Sequence, residues 1–122
     1  MSTNANWTVI FVDKTIIKNT GAESGTGYQI NDDAFWSQAK FANIWAIQYG
    51  TSVSSDEVEH RDSTPHCSYA EASLGDFQDF ITKWDTAHLA QLQADWDNNN
   101  VDGETEAEKI SRLGARPTSY SS

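Results

Sequence analysis

Between Asp76 and Asn98, large and mostly apolar side chains recur at three- and four-residue steps: Phe77, Phe80, Ile81, Trp84, His88, Leu89, Leu92 and Trp96. That spacing sets them along one face of a helix. Asp79, Lys83, Thr86, Ala90, Gln93 and Asp97 fall on the opposite face. Gly75-Asp76 marks the start, and Asn98-Asn99-Asn100 the fraying end. A helix of about 22 residues is about 33 Å long, the width of a whole small domain. Its polar end is therefore expected to project beyond the core, and its ring-bearing face needs a sheet or other helices to cover it.

The remaining sequence supplies strands for that purpose. Trp7–Val12 and Thr15–Ile17 are rich in β-branched and aromatic residues and read as a hairpin about Asp13-Lys14. Asn19–Gly27 is polar and glycine-bearing, a loop, and Tyr28–Ile30 a short strand after it. Asn31-Asp32-Asp33 caps a short helix running to about Lys40. Asn43–Tyr49 is the next strand, expected to place Trp45, Ile47 and Tyr49 on one face and Ile44, Ala46 and Gln48 on the other. Asp56–Asp62, charged at most positions, reads as an exposed edge strand pairing antiparallel with it across the Gly50–Ser55 loop, before a turn at Asp62-Ser63-Thr64-Pro65.

The expected fold class is α+β: an antiparallel sheet of about three to five strands, the long C-terminal helix across one face, and a short terminal helix. Glu104–Leu113 is that last helix, with Gly114 as its stop. The domain reading is one α+β unit over 1–114 and a flexible C-terminal tail over 115–122.

Charge and cysteine content narrow the function classes. Eighteen Asp and Glu against eight Lys and Arg give a net charge of −10. Phosphate binding needs clustered cations, so neither nucleic acid nor an anionic membrane surface is an expected partner. No apolar run approaches a membrane span, and Met1–Asn6 lacks the pattern of a secretory leader. The single cysteine, Cys67, excludes an internal disulfide and a cysteine-rich zinc site.

Candidate chemistry is sparse. His60, His66, Cys67 and His88 match no zinc-finger spacing and read as surface or structural residues, so no metal site and no cofactor is expected. Cys67 beside His66 is no nucleophile–base pair, since adjacent side chains point apart. With no phosphate-cradling glycine loop either, the chain reads as a non-enzyme. Asp95–Glu106 has one partial signature: Asp95, Asp97 and Asn99 alternate, Val101 offers a carbonyl, and Glu106 takes the twelfth place of a calcium loop. Asn100 stands where that loop carries Gly, and Asp102 where an apolar residue is usual. A calcium- or small-ligand-binding module is thus one alternative; an acidic inhibitor that imitates DNA is another.

Ile44-Trp45-Ala46-Ile47-Gln48-Tyr49, then Glu57-Val58-Glu59-His60-Arg61-Asp62-Ser63-Thr64-Pro65-His66, then a helix bearing Phe77 and Trp84, resembles small proteins of tailed bacteriophages encoded among tail and tail-fibre genes. The whole chain is similar to small proteins of marine phages, including those of cyanobacteria. Ser63 stands where Gly is frequent in them, and the Gly50–Ser55 loop is longer. The resemblance implies a structural or assembly role in the tail or elsewhere in the particle, through contact with other phage structural proteins. It places the protein in the virion, or in host cytoplasm during assembly, and is compatible with a homo-oligomer. It supplies no catalytic residues. Together with five Trp, five Phe and four Tyr, it points to Trp45, Tyr49, Trp96 and Tyr120 as interface residues.

Overall fold

The computed structural model describes residues 5–20, 25–50 and 56–122. Met1–Asn4, the first part of the expected Gly-bearing loop (21–24) and most of the Gly50–Ser55 loop (51–55) lie outside the described residues. The fold is α+β. Strands β1 (Ala5–Ile10), β2 (Thr15–Thr20), β3 (Thr26–Gln29), β4 (Ile44–Gly50) and β5 (Glu57–His60) form one antiparallel sheet in the order β3-β2-β1-β4-β5. Short helix α1 (Asp33–Trp36) and a 3-10 turn (Ala39–Phe41) connect β3 to β4, α2 (Tyr69–Ala72) follows β5, and α3 (Gln78–Asn98) and α4 (Glu106–Leu113) complete the chain.

The hairpin differs from its sequence reading in where it turns. β1 stops at Ile10, and Phe11–Lys14 make a four-residue turn rather than a two-residue one at Asp13-Lys14. A two-residue hairpin turn wants positive φ at one or both central positions, and in this turn only Lys14 adopts it (φ 54°). β2 also runs on to Thr20, taking Asn19-Thr20 out of the expected loop, because both pair across to β1 at Asn6 and Ala5. Between Ile10 and β2, Phe11 still donates its N–H to the Trp45 carbonyl (2.8 Å) and keeps its ring in the core.

Alternation along the strands gives the sheet one buried face. Tyr28, Ile16, Val9, Ile47 and Val58 stand in register across all five strands on that face, and the last four are wholly buried. α3 lies over it and contributes Phe80 and Trp84, with Phe77 at its N-terminal end. Rings meet edge to face: Trp7 on Trp84 at 5.6 Å, Phe11 on Trp36 at 5.3 Å, Phe35 on Phe80 at 5.4 Å. Each such contact adds about 0.5–1.5 kcal/mol beyond its buried area. On the other face Thr8, Ile10, Thr15, Ile17 and Ala46 are half-exposed and Gln48 is exposed.

The far half of α3 leaves the sheet, as its length requires. There Leu89, Leu92 and Trp96 are only half-buried. α4 opens on a capping box, the Thr105 hydroxyl accepting from the Glu108 amide and the Glu108 carboxylate from the Thr105 amide. Its Lys109 ammonium sits 3.9 Å from the Trp96 ring centroid and donates to Asn100 Oδ1 at 2.7 Å. Residues 115–122, the expected tail, lie back along α3. Gln93 donates to the Pro117 carbonyl (3.0 Å), and both the amide and the hydroxyl of Ser122 donate to the Asp85 carboxylate.

Candidate interaction surface

Trp45 stands apart from the other aromatic residues because of one extra residue in β4. Ile44 pairs with His60 while Ala46 pairs with Glu59, so two steps on β4 oppose one on β5: a β-bulge centred on Trp45. The bulge overturns the simple alternation expected of this strand. Ile44 joins Ile47 in the core, and Trp45 is turned out with 53% of its surface exposed. Its carbonyl remains fixed by the Phe11 N–H. Arg61 reinforces the distorted segment, its Nε donating to the Ile44 carbonyl (2.9 Å) and its amide to the Asn43 carbonyl (2.9 Å).

Tyr49, Trp96 and Tyr120 are half-buried and make contacts within the chain. The Tyr49 ring stacks on Phe77 and meets the edge of Tyr69 at 5.4 Å. Trp96 donates its indole N–H to the Gly114 carbonyl (3.0 Å) under the Lys109 ammonium. Tyr120 packs against His88 at 4.4 Å and Trp84 at 5.9 Å. The four residues are therefore not one patch. Trp45 is the outward-facing member, next to the half-exposed row Thr15, Ile10 and Ala46 that runs across the open sheet face.

Under Tyr120 lies a residue to which the sequence gives no signal. Lys18 is 8% exposed, with its ammonium 5.1 Å from the Trp84 ring centroid, 5.6 Å from Tyr120 and 5.7 Å from Trp7. It donates to Ser122 Oγ (3.1 Å) and Tyr120 Oη (3.4 Å). A cation in a ring cage with two hydroxyls keeps its charge satisfied without a carboxylate. Nearby, the Tyr28 hydroxyl is 2.7 Å from His88 Nδ1. Burial, and then the Lys18 charge, push the His88 imidazole below its ordinary pKa, while burial raises that of the Tyr28 phenol.

The acidic stretch expected as a calcium-loop alternative has other partners. Arg116 holds Asp97 through two hydrogen bonds of 2.8 and 2.9 Å. Arg112 grips both Glu104 oxygens and donates to Asn99 Oδ1. Asp95 accepts from Gln91, and Glu106 lies in the first turn of α4. The guanidinium groups hold the Asp97 and Glu104 carboxyls below the usual range. Compared with known proteins, the chain matches no family model, no curated protein and no solved structure.

Proposed function

We propose that the protein is a non-enzymatic component of a tailed-phage particle, acting in the tail region or in fibre assembly by contact with other phage structural proteins. The reading starts from the segment that resembles such proteins and from where that segment lies. Its two strand pieces, Ile44–Tyr49 and Glu57–His66, contribute β4 and β5, which pair directly, and its helix piece brings Phe77 and Trp84 onto the same sheet. The observation that carries the reading is Trp45, a large indole held outward by a bulge and by two hydrogen bonds from Arg61 to the segment just before it, from its side-chain Nε to the Ile44 carbonyl and from its amide to the Asn43 carbonyl. A rigidly presented Trp is the side chain best suited to anchor a protein interface. The acidic surface keeps such a subunit soluble before assembly. Particle and assembling host cytoplasm are the compartments this role implies, and repetition within a particle is compatible with a symmetric oligomer.

The test is a photo-crosslinking side chain at position 45, assayed with purified particles and with co-expressed products of the neighbouring genes. A crosslink to a tail-region protein, abolished by competition with unlabelled protein, is the expected result. Absence of the protein from particles and from every complex with those gene products overturns the proposal.

A further inference from the structure

β5 exposes two carboxylates to the same side. Glu57 and Glu59 flank Val58, whose side chain is fully buried, so both point away from the core. Just beyond the strand edge the chain returns antiparallel: Val58 donates to the Cys67 carbonyl (2.7 Å) and accepts from the Cys67 amide (3.3 Å). This pairing sets His66 directly opposite Glu59, on the face away from the core, while Cys67 packs inward. One ligand atom each from Glu57, Glu59 and His66 lies within 4.8 Å of the others. His66 Nδ1 is 3.5 Å from Glu57 Oε1, and both side chains are half-exposed.

We propose that Glu57, Glu59 and His66 bind a zinc ion, with water completing its coordination. Zinc–ligand bonds of about 2.0–2.2 Å put neighbouring ligand atoms of a tetrahedron about 3.4 Å apart, so the His66–Glu57 edge is already at the required length. Closing the remaining edges takes only side-chain rotation, because the backbone is pinned on both sides. Among the described residues no Lys or Arg forms an ion pair with Glu57 or Glu59, which leaves His66 as the basic side chain beside the two carboxylates. An imidazole nitrogen with two carboxylates selects zinc over calcium or magnesium, which take all-oxygen shells. This site stands independently of the Trp45 contact.

The experiment is calorimetric titration of the metal-stripped full chain with zinc chloride, paired with NMR of the histidine rings. One zinc per chain is expected, with ring signals of His66 shifting and those of His60 and His88 unmoved. His66→Gln and Glu59→Gln, both folded by circular dichroism, should each weaken binding about tenfold or more. Cys67→Ser should leave it unchanged, and millimolar calcium should not compete. No saturable zinc binding, binding that survives His66→Gln, or binding lost with Cys67→Ser each overturns the proposal.

Discussion

Tyr49 and Phe77 stack face to face, with ring centroids 3.9 Å apart and planes 9° from parallel. The pair joins a strand of the sheet to the first turn of the long helix, and Phe77 is 4% exposed. Phe77→Ala should cost about 3–5 kcal/mol in urea unfolding, the price of a large void in a packed ring cluster. Tyr49→Ala should cost less, since its ring is only half-buried. A double-mutant cycle between them should return about 0.5–1.5 kcal/mol of coupling.

Trp45→Ala should do the opposite. With its indole turned out, stability should change by less than about 0.5 kcal/mol, while the proposed contact with a tail-region protein falls sharply. A urea midpoint displaced as far as that of Phe77→Ala would place the indole in the core.

Truncation after Pro117 removes the hydroxyls and ring that close the Lys18 cage. The shortened chain should lose about 1–2 kcal/mol of stability from the uncovered aromatic area. Its tryptophan emission should shift to the red as Trp84 gains water. Unchanged emission and melting temperature would show that the segment contributes nothing in solution.

Acidification should destabilise the protein in two stages. The folded His88 pKa lies below its unfolded value of 6.5, because burial disfavours the imidazolium. The unfolded chain therefore binds the proton first, and stability present above that value declines as pH falls through it toward the folded one. The second stage is carboxylate titration. The Thr64 hydroxyl and amide hold Asp62 at about 2 against an ordinary 3.8, so its contribution is present above 3.8 and is lost as pH falls toward 2. Thermal melts across this range should show the first decline in wild type and lose it in His88→Gln.

Millimolar calcium should leave the melting temperature unmoved. Asp97 and Glu104 are already bonded to Arg116 and Arg112, and an ion would have to displace both guanidinium groups. A calcium-dependent rise in melting temperature would show that it does.

The elements governed by local periodicity were legible in the sequence. The ring spacing of Phe77–Trp96 announced α3 to within about two residues, a margin inherent in helix ends. β4 and β5 followed from β-branched and aromatic content and from the charged edge. Four features depended on long-range register and were not legible. A bulge adds a residue without altering composition, so Trp45 read as a member of the Ile47 face. Nothing local to Lys18 announces its burial, because its cage comes from Trp7, Trp84 and Tyr120, up to 102 residues away in sequence. The tail carries only one ring, Tyr120, and no periodic pattern, so nothing local revealed that it packs on His88. Convergence of His66 with Glu57 and Glu59 likewise required knowing that Cys67 bonds back to Val58.

That return of the chain at Val58 has an outcome for how the sheet meets its surroundings. Both outward main-chain groups of Val58, within β5, are already spent on Cys67. A guest strand approaching from this side finds the ladder closed at its midpoint. Lateral extension of the sheet is thereby one-sided, with β3 as the terminus at which a sixth strand would have to be added.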